Sequence, residues 1–382
     1  MKKGLFVLSI FVLVALFAAA CTSAPAPAPQ VVKETVIVPQ TVVVQAPAPT
    51  AAPAAPVATA AAPVAAAGNK LKVILDRKKV ICGINGSVVG FSSLAPSGDF
   101  VGFDADYCRV IAASLFGDVK AVEFRKVDTA TRFASLQSGE VDIVFRNTTY
   151  TLGRDTQNGV DFGPVTFYDG GGMMVPKKSN ITKLEQLKGA TICLLEGTTN
   201  VGVLADLFKA RGIDYKAQTF KDAETLYKSL DAGQCDAATS DKSQLAGQRA
   251  SLVKNPDDYV ILDETMSKEP LTPMISQGDS GWRDVMNWSI FATIYAEEAG
   301  ITSKNVDDMK KSDNIDLKRF FGVTDDLPKK MGLSNDAFYN AIKLVGNYGE
   351  IYERNITKLG VPRGLNQLWN KGGLLYAPPL RP

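Results

Sequence analysis

The sequence predicts an α/β fold built from two similar units, and three observations carry that reading. From Lys72 onward, strand-like and helix-like segments alternate as β-α-β-α-β, and from Ala190 the same order repeats. Such alternation implies a parallel sheet with helices on its faces, so two sheets are expected side by side. Between them runs Pro164-Val-Thr-Phe-Tyr-Asp-Gly-Gly-Gly172. Consecutive glycines permit backbone angles closed to other residues, which suits a hinge or, alternatively, a β-turn.

In the first unit, Lys79-Val-Ile-Cys82 reads as a strand and Phe103 to Phe116 as a helix, with Asp104 or Asp106 near its start and Gly117 behind it. Ala121 to Phe124 is a second strand, Thr129 to Ser138 a second helix and Val141 to Phe145 a third strand. In the second unit, Ala190 to Leu195, Tyr215 to Thr219 and Cys235 to Thr239 read as strands. Val201 to Arg211 and Ala223 to Ala232 read as the helices between them. A return crossing is expected near Lys268-Glu-Pro-Leu-Thr-Pro273. Beyond Gly300 the pattern is mostly helical: Asp336 to Gly346 spaces its apolar residues as a helix does, with Ser334 or Asn335 as cap. This stretch is expected to pack on the first unit; a dedicated partner surface is the alternative.

The residues ahead of these units are of another kind. Met1 to Ala20 reads as a secretory leader, with Lys2 and Lys3 as the charged start, Leu5 to Phe17 as the apolar stretch and Ala18-Ala-Ala20 before the cleavage point. Cys21 follows at once, the pattern of a bacterial lipoprotein signal whose new N-terminal cysteine is lipidated; an ordinary secretory signal is the other reading. Residues 21–68 are almost wholly Ala, Pro, Val, Ser and Thr. They are expected to form an extended, disordered tether. Nothing after Leu71 approaches a membrane span, so the rest is expected to be soluble and held at an extracytoplasmic membrane surface by its lipid.

Composition excludes several chemistries. Lys+Arg number 42 against 40 Asp+Glu, so no strongly basic balance points to nucleic acid. The chain has no histidine, which removes Ser-His-Asp and Cys-His catalysis and His-ligated zinc. No metal or cofactor is expected. Beyond Cys21 there are Cys82, Cys108, Cys193 and Cys235, none spaced as CxxC. An even number in an exported chain favours disulfides, although four cysteines allow three pairings. Cys82 with Cys108 and Cys193 with Cys235 is the pairing that keeps each bridge inside one unit; free buried thiols are the alternative.

Polar clusters fall where open α/β sheets bind ligands, beyond the carboxyl ends of their strands. Asn147, Thr149 and Arg154 follow the strand ending at Phe145. Gly197-Thr198-Thr199 follows Leu195, and Ser240 and Asp241 follow Thr239. An arginine fork suits a carboxylate, and free N–H groups at a helix start after Gly197 also favour an anion. Asp241 offers the opposite charge, so the set fits a zwitterion such as a free amino acid. Taken singly, Arg154 could be a surface ion-pair residue, Thr149 or Thr151 a turn cap, and Thr199 or Asp241 a helix N-cap.

The chain resembles the amino-acid-binding family of extracytoplasmic solute receptors that serve ABC importers (family 3), and within it the general L-amino-acid-binding subfamily. The resemblance rests on Cys82-Gly-Ile-Asn85, Gly102-Phe-Asp-Ala-Asp-Tyr-Cys108, Leu136-Gln-Ser-Gly-Glu-Val-Asp142, Arg146-Asn-Thr-Thr-Tyr-Thr151 and Glu196-Gly-Thr-Thr199. It also rests on Lys254-Asn-Pro-Asp-Asp258, Lys268-Glu-Pro-Leu271, Thr302-Ser-Lys-Asn-Val306, Val345-Gly-Asn-Tyr-Gly-Glu350 and Leu368-Trp-Asn-Lys-Gly-Gly373, and so covers nearly everything from Lys72 onward.

The resemblance implies a type II periplasmic-binding-protein fold: two lobes joined by two crossing strands, here residues 69–168 with 268–382, and 169–267, closing over a free L-amino acid. It implies that Arg154 holds the α-carboxylate with Thr149 and Thr199 assisting and that Asp241 holds the α-ammonium; Thr198 and Asn147, from the same strand-end clusters, are expected to line the site. A membrane permease is the implied partner, and a monomer is expected. Many relatives place an aromatic two or three residues before Phe91, where this chain has Val88 and Val89, which suits broad or small-ligand specificity. Glu196 could favour a cationic side chain or face solvent. An enzyme on the same scaffold, such as a dehydratase, and an amino-acid-sensing module are the rival readings. The first would need Glu or Lys as acid or base, and no carboxylate pair in the sequence is plainly poised for that.

Overall fold

The computed structural model describes residues 69–382. The expected leader, the lipidated Cys21 and most of the Ala/Pro-rich tether lie outside the described residues. After helix α1 (Lys70–Arg77), the chain enters a five-stranded sheet of order β5-β1-β6-β15-β7. These strands are β1 (Val80–Ile84), β5 (Val122–Lys126), β6 (Ile143–Val144), β7 (Val160–Phe162) and β15 (Met274–Ser276). β5, β1 and β6 are parallel, whereas β15 runs antiparallel to both β6 and β7. The expected parallel sheet is therefore the core of a mixed one. The antiparallel part comes from the returning chain, which β-α-β order alone does not encode. A small antiparallel sheet of β2 (Ser87–Val88), β3 (Ser92–Leu94) and β4 (Phe100–Val101) precedes helix α2 (Phe103–Phe116).

Helix α2 has the limits the sequence predicts, because both ends are set by glycine. Gly102 at the N-cap has φ 128°, and Gly117 closes the last turn at φ 66°, donating to the carbonyl of Ala113. Twelve of its fourteen residues are buried, so the helix is the centre of the core rather than its lid. The Cys82–Cys108 disulfide ties it to β1, with Cα atoms 6.0 Å apart. Side chains in β1 alternate: Val80, Cys82 and Ile84 join the core around α2, and Ile81 joins a second layer with Leu136, Val144 and Met274. Helices α3 (Arg132–Gln137) and α4 (Leu152–Gln157) flank β6 in sequence.

The second sheet has the order β11-β10-β12-β9-β13: β9 (Gly171–Pro176), β10 (Thr191–Leu195), β11 (Lys216–Phe220), β12 (Ala237–Asp241) and β13 (Tyr259–Ile261). β9 is antiparallel to β12 and β13, while β11, β10 and β12 are parallel. Period-two alternation splits its core: Met173, Val175, Ile192 and Leu194 face the cluster of Leu204 and Phe208 from α5 (Thr199–Arg211). Met174, Cys193 and Ala238 face Leu226, Tyr227 and Leu245 from α6 (Ala223–Asp231) and α7 (Lys242–Ser251). The second disulfide, Cys193–Cys235, lies within this unit with Cα atoms 5.8 Å apart. Loops of 26 and 42 residues closed by the two bridges stabilise by about 3.5 and 4 kcal/mol in the chain-entropy account.

Two short strands carry the chain between the sheets. β8 (Phe167–Asp169) leads to β9, and β14 (Glu269–Leu271) leads back to β15, paired antiparallel with Asp169 opposite Glu269. The three glycines at this crossing do not use the backbone angles closed to other residues. None of Gly170, Gly171 and Gly172 has a positive φ, and the last two lie in β9. Space is what excludes a side chain. A Cβ would sit 2.3 Å from Thr265 Cγ2 at Gly170, 2.6 Å from Ser267 Oγ at Gly171 and 2.6 Å from Lys242 Cγ at Gly172.

Past β15, α8 (Ser280–Glu298) and the short helices α9 (Val306–Met309), α10 (Ile315–Phe320), α11 (Leu327–Lys330), α12 (Ala337–Leu344) and α13 (Tyr348–Asn355) follow. They bring Trp282, Phe320, Phe338, Tyr348 and Tyr352 into the core built on α2. Asp336, not Ser334 or Asn335, occupies the N-cap of α12. Among the described residues no helix is long and apolar enough to cross a membrane.

Candidate functional site

Every parallel strand of both sheets ends at one cavity of about 100 Å³. β1 delivers Asn85 and Ser87, β5 delivers Asp128, Thr129 and Arg132, and β6 delivers Arg146, Asn147, Thr149 and Arg154. From the second sheet, β10 delivers Thr198, Thr199 and Asn200, β11 delivers Lys221 and Asp222, and β12 delivers Asp241, with Gln244 and Gln248 from α7. All six side chains singled out in the sequence, Asn147, Thr149, Arg154, Thr198, Thr199 and Asp241, therefore line a single space. Ser240 does not; its hydroxyl donates to Gln244 Oε1 at 2.9 Å. Glu196 is exposed and outside the lining, so it faces solvent instead of a ligand side chain.

The Arg146–Arg154 segment is held by local geometry. Asn147 adopts φ 40°, in the left-handed region that asparagine tolerates, and its N–H donates to Asp104 Oδ2 at 3.3 Å. The backbone is then stitched to the return crossing, with Tyr150 N donating to Pro270 O and Thr272 N to Thr148 O. Thr151 is the residue that caps: it accepts from Arg154 N at the start of α4. Among the described residues Arg154 forms no ion pair with a carboxylate. Its Nη1 donates to Thr149 O at 3.0 Å and its Nη2 crosses to Gly197 O at 3.3 Å. Three of its five N–H donors remain.

Glu269, which the sequence reading passed over, is central. It is buried on β14 and accepts from Thr149 Oγ1 at 2.6 Å and from Thr199 Oγ1 at 2.8 Å, one hydroxyl from each side of the cavity. Thr199 is thus no cap. The N-cap of α5 is Thr198, whose hydroxyl donates to Leu195 O. At the start of α7, Asp241 stands at the N-cap position without capping. Asp169 from β8 accepts from Ser243 N instead, at 3.2 Å, which leaves the Asp241 carboxylate to accept from Asn200 Nδ2 at 2.9 Å.

Electrostatics set the two sides apart. Burial, then Asp169 and Glu269, push the Asp241 carboxyl well above its ordinary range. Burial raises Asp169 to about 6 and Asp104 to about 7. On the arginine side, burial draws Arg146 down to about 10, against the opposing pull of Asp128 and Asp104, and draws Arg154 down as well. Arg132 is pulled well down by burial first and then by Arg146 and Arg154. Charged groups short of counter-charge on both sides are what an occupant carrying both signs would relieve.

Unpartnered polar atoms concentrate here. Among the described residues ten buried side-chain N or O atoms lack a hydrogen-bond partner. Five of them, Arg132 Nε, Asn147 Oδ1 and Nδ2, Asn200 Oδ1 and Gln248 Oε1, belong to residues lining this cavity. Arg132, Asn200 and Gln248 escaped the sequence reading. Arg132 falls inside the expected helix Thr129 to Ser138, yet it follows the carboxyl end of a strand just as Arg154 does. Among the described residues no His, Cys, Asp and Glu cluster suits a metal.

The family model of bacterial extracellular solute-binding proteins, family 3, matches residues 80–356. The chain is 48% identical over 307 residues to the general L-amino acid-binding periplasmic protein of Rhizobium johnstonii, covering 79% of this chain and 90% of that one. It is 43% identical over 309 residues to the glutamate/glutamine/aspartate/asparagine-binding protein of Rhodobacter capsulatus, covering 80% and 91%. Among solved structures, an ABC transporter periplasmic binding protein from Brucella ovis with glutathione bound aligns with TM-score 0.80 and 45% identity, covering 81% of this chain and 99% of that one. A site built where two sheets converge, on a chain this similar to solute-binding proteins along nearly their whole length, has one family reading: the chain belongs to family 3 of the bacterial extracellular solute-binding proteins.

Proposed function

We propose that this protein is a lipid-anchored receptor that captures free L-amino acids outside the cytoplasm and delivers them to an ABC transporter permease. In this reading residues 69–168 with 268–382 form one lobe and 169–267 the other, and they close over the ligand as a monomer tethered through Cys21. Arg154 grips the α-carboxylate with its remaining N–H donors, and Asp241 takes the α-ammonium. Thr149 and Thr199, whose hydroxyls can rotate, share their protons between Glu269 and the ligand; Thr198 and Asn147 complete the wall. Closure removes water from these pairs, which strengthens them.

The observation that carries the reading is the joint one: an arginine without a carboxylate partner, an aspartate relieved of its capping duty and five unpartnered buried polar atoms, all at one cavity. The names of the relatives supply the ligand class, amino acids, and the bound glutathione of one of them supplies a γ-glutamyl peptide as the second ligand to test. Calorimetric titration of the purified protein with the twenty amino acids and glutathione, followed by mass analysis of the recovered ligand, tests it. Binding with the ligand returned unchanged is the expected result. Chemical conversion of the ligand would point to an enzyme, and no heat with any of them would remove the reading.

A further inference from the structure

The strand that leaves the first sheet is held from outside by the end of the chain. β8 pairs with β14 alone, and there Tyr168 faces Pro270, which has no N–H to offer. One side chain takes both backbone groups instead: Tyr168 N donates to Asn366 Oδ1 at 2.7 Å, and Asn366 Nδ2 donates to Tyr168 O at 3.0 Å. Asn366, 3% exposed, thus stands in for a neighbouring strand. Its own footing is firm. Arg363 Nε donates to Asn366 O at 3.0 Å, and Arg363 Nη2 donates to both carboxylate oxygens of Glu297 on α8, at 3.0 and 3.1 Å. The same guanidinium lies 5.1 and 5.0 Å from the ring centres of Tyr348 and Tyr352, and the Tyr348 hydroxyl donates to Thr166 O at 2.9 Å. Arg363 and Asn366 lie beyond residues 80–356, the stretch that the family model matches.

The return strand is tied to the same side by other means: Pro270 O accepts from Tyr150 N, and Leu271 bridges to Thr149. Past Tyr168 the partners change at once. Asp169 caps α7, Gly170 O accepts from Lys242 N at 2.9 Å, and Gly171 stands opposite Asp241 in the second sheet. The bonds that hold the backbone to the first unit end on both crossings at the facing pair Tyr168 and Pro270. Asp169 with Gly170, and Lys268 with Glu269, are left as the places where the backbone can turn.

Resting on the receptor reading above, we propose that Asn366 is a positioning residue for ligand capture: by holding β8 to the first lobe through Tyr168, it confines closure to the residues that follow. Asp169, the α7 that it caps and the ligand-facing Asp241 then swing as one body. Without the clamp the outgoing strand gains freedom in the open state, which closure must remove again. The cost falls on every ligand alike, because the clamp touches none of them.

Amide hydrogen exchange of the full chain, alone and saturated with an equimolar mixture of the twenty L-amino acids, reads the clamp directly. In the native protein the Tyr168 amide is expected to exchange slowly and equally in both conditions, whereas Gly170 and Gly171 gain protection on binding. In Asn366→Ala the Tyr168 amide is expected to exchange at least about tenfold faster without ligand and to regain protection with it. Calorimetry of that variant should show each bound amino acid weakened by about tenfold. Native exchange at Tyr168 that responds to ligand as much as exchange at Gly170 would place the bend inside β8 and overturn the proposal. So would unaltered affinity in Asn366→Ala, or faster exchange at Tyr168 that ligand does not slow, the mark of a purely structural contact. Should Asn366→Ala fail to fold, Tyr348→Phe, which lifts the bond to Thr166 O, is read in the same way with a smaller expected change, and a ligand-independent result there counts equally against the clamp. Failure of the native protein to bind any of the twenty would defeat the receptor reading itself, a different outcome from a Tyr168 amide that responds to ligand.

Discussion

On the first sheet's side the cavity is lined by three guanidiniums, Arg132, Arg146 and Arg154; on the second sheet's side the buried charge is a carboxylate, Asp241, hydrogen-bonded by Asn200. Asp128 on the first side and Lys221 on the second carry the reverse sign, and Asp222 adds a second carboxylate to the second side, but all three are exposed. Burial acts oppositely on the two sets, drawing the arginines' pKa values down and the aspartate's up. Neither side completes the other directly: Arg154 reaches across to a carbonyl, that of Gly197, and not to Asp241. The difference is that the buried charge is positive on one side and negative on the other, which in the proposed reading lets the two sides be finished by the opposite charges of one occupant.

The strongest way to break that comparison is to remove the arginine that faces both sides. Arg154→Ala is expected to weaken every amino-acid ligand by about 100-fold or more, the usual consequence of leaving a buried opposite charge unpaired. Thermal unfolding of the unliganded protein should change little, because the hydrogen bonds lost are to Thr149 O and Gly197 O alone and no ion pair is broken. Unaltered affinity in calorimetry would remove Arg154 from the site.

A smaller effect is expected from spoiling the approach of the two sides. Gly247 on α7 presses on the loop after β2: a Cβ there would lie 2.4 Å from Val89 O, a backbone atom that cannot swing aside. This is where relatives were expected to place an aromatic; Val88 is instead buried in the first core. Gly247→Val should hold the sides apart and weaken ligands by roughly tenfold across all side-chain types, as loss of closure does. A change confined to one ligand class would mean that the contact reads the ligand rather than closure.

The smallest effect sharpens the comparison on the acidic side. Burial, with Asp169 and Glu269 nearby, makes the Asp241 carboxyl hold its proton to a higher pH than usual, and an ammonium partner favours the ionised form. Binding therefore releases a proton, and affinity falls as pH is lowered through the raised pKa, on the order of a few-fold per pH unit. Calorimetry in buffers of different ionisation enthalpy reads the proton release directly. Asp241→Asn should abolish the release; release that persists there would place it on Asp169 or Asp104.

Much of the fold was legible because strand and helix alternate with clear punctuation: Gly117 ends its helix where the sequence places it, and the helix expected to stop at Arg211 does so, before Gly212. Antiparallel β15 and β9 were not legible, since a returning strand of three residues and a glycine-rich one carry little periodicity of their own. Position at strand ends sufficed to find Arg154, Thr199 and Asp241. It could not separate them from caps, because the residue that actually caps α7, Asp169, is 72 positions away from Asp241 and meets it only in three dimensions. Glu269 was hidden for the same reason: it binds Thr149 and Thr199 across 120 and 70 residues. Arg132 was hidden by its helix, whose spacing does not say which polar residue turns inward.

The central claim is that an anion-binding and a cation-binding wall grip one zwitterion, and analogues lacking one charge test it most directly. Calorimetric titration should compare L-glutamate with its deaminated diacid in the native protein and in Asp241→Asn. The account predicts that losing the amine weakens binding by about 100-fold in the native protein and by only a few-fold in Asp241→Asn. An equal penalty in both proteins would show that Asp241 does not meet the ammonium, and would contradict the account.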